Sequence, residues 1–136
     1  MIDQSKFSYG SLPQALAEDL MGLNPWWSAE PARFYPSHRR WLFNKLRAQL
    51  TSGLTQAVAL RGPRRVGKTI LMRQLIEAFL AEGIAAQRIL YVPFDEIEHS
   101  INFKDPILAI ARWFEANIAK QTFKAGARGS NGLYFF

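Results

Sequence analysis

The chain lacks cysteine altogether, and this absence excludes disulfide bonds and thiolate metal sites. It has no apolar run close to the roughly 20 residues that cross a bilayer. The start of the sequence also lacks the apolar segment of a secretory signal. These absences predict a cytoplasmic protein that does not enter a membrane. Acidic residues are the minority charge, with 11 Asp and Glu against 17 Lys and Arg and a net charge of +6.

The bulk composition is that of a folded chain. It has 136 residues, of which 49% are hydrophobic and 21% are charged. This balance predicts one small globular core rather than a disordered segment. Because basic chains can bind nucleic acid through its phosphates, nucleic acid is one candidate partner.

A loop bounded by two glycines is the most specific pattern in the sequence. Its residues are Gly62-Pro63-Arg64-Arg65-Val66-Gly67-Lys68-Thr69, which fit the phosphate-binding pattern G-x-x-x-x-G-K-[ST]. The apolar run 57–60 before the loop predicts a buried strand, and the periodic residues after it predict a helix. This motif in this context predicts binding of a nucleoside triphosphate.

The residue types of the loop explain that chemistry. Gly62 and Gly67 permit backbone angles and a close approach that a Cβ would obstruct. The unpartnered N–H groups at the start of the following helix, and its dipole, attract phosphate. Lys68 adds a positive charge for the β- and γ-phosphates, and the Thr69 hydroxyl is the expected Mg²⁺ ligand. The predicted nucleotide-binding residues are Gly62, Pro63, Arg64, Arg65, Val66, Gly67, Lys68, Thr69 and Ile70.

Helices and strands alternate along the chain. Helices are predicted over 11–23, 37–53, 68–82 and from Pro106 onward, and strands over 55–61, 88–94 and 133–136. This order predicts an α/β fold with a parallel sheet and right-handed crossovers. Pro93 places the second strand at an edge or ends it there. Ser11 with Gln14, and Asp105 with Pro106, predict helix starts, and Ile107, Ile110, Phe114 and Ile118 form the expected buried stripe of the last helix.

Two adjacent tryptophans follow the first helix. Trp26 and Trp27 come directly after Asn24-Pro25, which must break the helix. Two interpretations remain open at this point. The rings form a hydrophobic plug against the domain, or one ring lies near the adenine base of a nucleotide.

The run 59–69 resembles the P-loop of AAA+ ATPases of bacteria and archaea, whose hallmark is Gly-Pro-Arg-Arg-Val-Gly-Lys-Thr/Ser. The loop 24–27, the basic helix before the first strand and the strand 89–95 look like parts of the same family. The resemblance covers residues 20–136. It implies a three-layer α/β/α P-loop NTPase domain with ATP and Mg²⁺ as ligands, and Gly62, Gly67, Lys68 and Thr69 match the family's nucleotide site.

The resemblance also implies that the chain is incomplete. In this family the Walker B strand is four apolar residues followed by Asp-Glu, and residues 133–136 look like that strand. We therefore expect an amino-terminal fragment of a larger ATPase, with a helical extension at 1–35 and a partial NTPase domain at 36–136. Hydrolysis by this chain alone is not expected. Relatives often form rings, which makes a homo-oligomer of the full-length protein a further expectation.

An acidic pair offers a different candidate for catalysis. Asp95 and Glu96 follow Val92-Pro93-Phe94, which also resembles a Walker B ending. In that role Asp95 would hold Mg²⁺ and Glu96 would polarise the attacking water. The competing interpretation is an ordinary turn at the end of a strand, because Pro93 interrupts the strand.

Three function classes fit the sequence. The first is an ATPase or its amino-terminal part. The second is a module in which bound nucleotide regulates contacts with nucleic acid or protein. The third is a small-molecule kinase with a P-loop, for which neither an acceptor pocket nor an arginine-rich lid is visible in the sequence.

Overall fold

The computed structural model describes residues 12–29, 40–51, 58–61, 63, 67–97, 105–123 and 132–136. These residues form two compact units. The first unit draws on Met1–Pro31 and Ala86–Phe136, and the second on Ala32–Ala85. The expected division into an extension at 1–35 and a domain at 36–136 stays a prediction.

The elements of each unit are mostly helical. The first unit contains α1 (Gln14–Leu23), a 3₁₀ turn (Pro25–Ser28), a second 3₁₀ turn (Ala86–Arg88), β1 (Ile89–Leu90), α4 (Phe94–Ile97), α5 (Pro106–Phe114) with a π-helical continuation (Glu115–Ala119), and β2 (Tyr134–Phe135). The second unit contains α2 (Leu42–Thr51) and α3 (Lys68–Ala81). Among the described helices, none is both long enough and apolar enough to cross a membrane.

The two strands pair in parallel, as predicted. Ile89 lies opposite Tyr134 and Leu90 opposite Phe135. The Phe136 N–H donates to the Leu90 carbonyl at 2.7 Å, and the Val92 N–H donates to the Phe136 carbonyl at 2.9 Å. The apolar residues 133–136 therefore do enter a sheet, on one side of β1.

The second predicted strand is shorter than the sequence indicated. We expected it to run over 88–94, but regular pairing covers Ile89–Leu90 and residue 94 already begins α4. Pro93 limits the strand, because it has no N–H to extend the pairing beyond the Val92 N–H, which still donates to Phe136. Of the two placements predicted from Pro93, an edge strand or a strand end, the structure supports the second.

The other edge of β1 is closed by side chains of the edge segment, residues 24–27. The buried Asn24 amide pairs with the backbone of Tyr91, accepting its N–H at 2.7 Å and donating to its carbonyl at 3.0 Å. Asn24 Nδ2 also donates to the Leu20 carbonyl at 2.9 Å, which ties the edge segment to the end of α1. The indole N–H groups of Trp26 and Trp27 both donate to the Ile89 carbonyl, at 3.1 and 2.8 Å.

Aromatic rings form the centre of the first unit. Trp27 stacks on Phe114 with ring centroids 5.7 Å apart, and Phe114 lies 6.1 Å from Phe123. Phe135 of β2 lies 6.5 Å from Phe123 and 6.5 Å from Phe94. The two tryptophans thus pack in the core and donate hydrogen bonds to the edge of β1. This supports their interpretation as a hydrophobic plug.

The helix starts of the first unit differ from the sequence patterns. Pro13 occupies the position before α1 and makes no side-chain cap, and Ser11 lies outside the described residues. Asp105 precedes α5 with Pro106 at its first turn, as predicted, but the Asp105 carboxylate makes no capping hydrogen bond.

The buried stripe of α5 is shifted from the predicted one. Ile110 and Phe114 are fully buried as expected, whereas Ile107 is 61% exposed and that part of the prediction is wrong. Trp113 takes the inward position instead, because a stripe at 110, 113 and 114 keeps the three- and four-residue spacing of a helix. Ile118 packs at the margin of the core.

The described part of the second unit contains two helices, α2 and α3, which contact each other. Phe43 and Leu46 of α2 are buried, and so are several residues of α3, namely Leu71, Gln74, Leu75, Ile76, Ala78 and Phe79. Arg47 of α2 forms an ion pair with Glu82 at the end of α3. The sequence predicted α2 over 37–53; its described part is Leu42–Thr51, and Trp41 before it is 78% exposed.

The strand expected at 55–61 is not present in the part that the structure describes. Residues 58–61 have no regular strand structure, and 55–57 lie outside the described residues. A strand depends on the backbone hydrogen bonds of a neighbour. The described sheet contains β1 and β2 alone, so residues 58–61 have no ladder within it.

The edge segment generates a stability prediction. Replacing Asn24 with alanine removes three buried hydrogen bonds, two of which join it to the Tyr91 backbone. We expect Asn24→Ala to lower the free energy of unfolding by about 2–5 kcal/mol in chemical denaturation. The matched control is Asn44→Ala on the exposed side of α2, which should change stability by less than about 0.5 kcal/mol. Equal effects of the two substitutions would contradict the role given to Asn24.

Candidate nucleotide-binding site

The candidate site is built around the start of α3. Gly67 occupies the cap position with φ 92° and ψ 19°, in the left-handed region. A side chain there is strained, so the second glycine of the motif has a conformational reason to be glycine. The Leu71 N–H donates to the Gly67 carbonyl at 3.0 Å, which closes the first turn of the helix.

The apolar face of α3 fixes where this start lies. Leu71, Leu75 and Phe79 follow one another at four-residue spacing and are all buried. The helix ends as predicted, with Gly83 at φ 93° and the Ile84 N–H donating to the Phe79 carbonyl at 3.1 Å. The buried face and the end of the helix together determine where its first turn lies.

The first turn of α3 is electropositive. It carries no acidic residue, and Gly67 has no side chain that could cap the first N–H groups. Lys68 is half-buried, while Thr69 and Ile70 are exposed. A helix start of this kind attracts anions through the N–H groups of its first turn and through its dipole. The local chemistry therefore fits a phosphate. The exposed Thr69 hydroxyl is accessible to a metal ion bound to that phosphate.

The remaining predicted loop residues are less fully described. Pro63 is exposed. Gly62, Arg64, Arg65 and Val66 lie outside the described residues, so their predicted part in nucleotide binding stays a prediction.

The structure adds one residue that the sequence did not indicate. The guanidinium of Arg40, just before α2, lies over Gly67: a Cβ at Gly67 would be 3.4 Å from Nη2 and 3.5 Å from Cζ of Arg40. The sequence had only assigned Arg40 to a basic helix. No spacing rule could have found the contact, because it joins two residues far apart in the chain through a long side chain.

The acidic candidates Asp95 and Glu96 lie in the first unit. Both are exposed and both belong to the first turn of α4, where carboxylates compensate the helix dipole. The Glu96 N–H donates to the Pro93 carbonyl at 3.0 Å, as in a turn at a strand end. Among the described residues, no three acidic or histidine side chains group together as a metal site.

Comparison with known proteins bears on the same segment. A family model described as an AAA domain matches residues 54–135, which is more than half of the chain. The match includes the glycine-bounded loop, α3, β1 and β2. Neither the curated proteins nor the solved structures contain a match to the chain.

The family accounts for the observed architecture. An AAA domain has a P-loop α/β fold, and the described residues contain helices and a two-stranded parallel sheet, as such a fold requires. The chain belongs to the AAA domain family, and its P-loop domain is therefore of the nucleotide-binding, ATPase-like kind.

Proposed function

We propose that the chain binds ATP with Mg²⁺ through the loop 62–69 and the first turn of α3. One observation supports this proposal above all. Gly67 takes the left-handed conformation that starts α3, and so presents Lys68 and Thr69 at an electropositive helix end with no carboxylate in its first turn. The AAA domain match over 54–135 supports the same class of ligand, a nucleotide.

Each residue has a distinct part in the proposed site. The N–H groups of the first turn of α3 bind phosphate oxygens, and Lys68 neutralises their charge. The Thr69 hydroxyl takes one position on Mg²⁺, which keeps several waters and needs few protein ligands. When bound, Mg²⁺ would neutralise phosphate charge and orient the terminal phosphate. Gly62, Pro63, Arg64, Arg65, Val66 and Ile70 complete the proposed contacts.

Binding without turnover is the activity proposed for these 136 residues. Phosphoryl transfer needs a group that orients the attacking water, in addition to the phosphate cradle and the metal ion. The sequence contains one Asp-Glu pair, and both carboxylates lie exposed in the first turn of α4, where the turn itself accounts for them. We therefore assign Asp95 and Glu96 to the strand end and not to the nucleotide.

Removal of the lysine tests the proposed function directly. Lys68→Ala should weaken ATP binding about 10- to 100-fold in calorimetry, because a charge-assisted hydrogen bond to phosphate is lost. The control is Lys45→Ala, which removes the same charge from the exposed side of α2. Equal ATP affinity of wild type and Lys68→Ala would refute the proposed function.

Two glycines with the same backbone conformation separate strain from binding. Gly67 has φ 92° and Gly83 has φ 93°, but only Gly67 belongs to the proposed site. Alanine at either position should cost about 1–2 kcal/mol of stability, because a Cβ is strained in the left-handed region. Only Gly67→Ala should also weaken ATP binding, as measured by titration calorimetry below the unfolding transition of both variants. A comparable loss of affinity in Gly83→Ala would show that strain alone is responsible.

The acidic pair provides a third test. The double substitution Asp95→Asn/Glu96→Gln should leave the affinity for ATP with Mg²⁺ within about twofold of wild type, which is about 0.4 kcal/mol. The contrasting variant is Thr69→Ala, which should abolish the gain in affinity that Mg²⁺ provides. If the double variant lost that gain instead, Asp95 or Glu96 would be the metal ligand.

A further inference from the structure

We propose that Arg40 is an additional phosphate-binding residue of this site, one that reaches it from the segment before α2. This inference rests on the proposed function, since it assigns a further residue to the same ATP site. Arg40 and Gly67 belong to the same compact unit.

The geometry places the guanidinium at the loop itself. Three atoms of the Arg40 head group, Nη2, Cζ and Nε, lie within 3.4–3.8 Å of the position that a Cβ of Gly67 would take. The planar group therefore lies beside the glycine, close enough that a Cβ at Gly67 would be in van der Waals contact with it. A guanidinium carries several N–H donors in a fork that matches phosphate oxygens.

The positive charges of this arrangement favour the binding of an anion. A cation at a helix start is opposed by the positive end of the helix dipole. At α3 that dipole, Lys68 and Arg40 are all positive, and the first turn of the helix contains no acidic residue. Among the described residues, no carboxylate lies within ion-pair distance of the Arg40 guanidinium. A polyphosphate bound at this helix start would be attracted by all three positive groups.

The main chain of Arg40 is held in place by a hydrogen bond and by the packing of a neighbouring residue. The Phe43 N–H donates to the Arg40 carbonyl at 2.9 Å, which makes residue 40 part of the turn that opens α2. Phe43 is 1% exposed and anchors that turn. Arg40 is therefore held at its main chain while its head group stays exposed to a ligand.

The test compares two ligands and three variants. Titration calorimetry with ATP and with inorganic tripolyphosphate is carried out on wild type, Arg40→Gln, Arg40→Lys and the charge-matched control Lys45→Gln. We expect Arg40→Gln to weaken both ligands about 10- to 100-fold, because charge-assisted hydrogen bonds are lost. Arg40→Lys should recover part of the loss, since it keeps the charge but not the fork.

The outcomes separate this inference from the proposed function. If Lys68→Ala weakens ATP while Arg40→Gln binds as tightly as Lys45→Gln, the role of Arg40 is refuted and the site stands. If Arg40→Gln weakens ATP but not tripolyphosphate, Arg40 contacts the nucleoside and the phosphate assignment is wrong. If neither Lys68→Ala nor Arg40→Gln changes ATP binding, the proposed function itself fails.

Discussion

The pairing of the Asn24 amide with the main chain of Tyr91 is the interaction on which the first unit depends. A primary amide has one donor side and one acceptor side, as a peptide group has, so Asn24 can stand in for a neighbouring strand. The two tryptophan indoles complete the cover at Ile89. An exposed strand edge invites pairing with another chain, and here side chains close the edge of β1 that β2 does not use.

In the second unit, the main constraint is the positive charge at the start of α3. Burial of the α3 face holds the helix start in place, and that start concentrates positive charge from the dipole, Lys68 and Arg40. Like charges held together oppose folding, whereas an anion bound only by the folded state adds to its stability. The positive charges that would favour polyphosphate therefore also oppose the folding of this helix start.

The sequence predicted α3 almost to the residue, because its loop, periodicity and terminal glycine are all local signals. It also predicted the apolar strand at the end of the chain and its parallel pairing. It failed for residues 58–61, since a strand depends on neighbours that local pattern does not reveal. It could not find Asn24 as an edge cap or Arg40 at Gly67, because both contacts join distant residues through side chains. The candidate site was therefore predictable as a motif but not as a complete set of groups.

The position of Arg40 suggests how a bound nucleotide would affect α2 as well as the loop. Its carbonyl accepts the Phe43 N–H in the opening turn of α2, and α2 contacts α3. A phosphate held between Arg40 and the start of α3 would therefore link the amino ends of two packed helices. Such a link disappears with the ligand, so the bound and free forms would differ in how firmly α2 begins. A ligand shifts a conformational equilibrium only through such a difference in affinity between states, and Arg40 would supply it for both an ATPase and a nucleotide-regulated binding module.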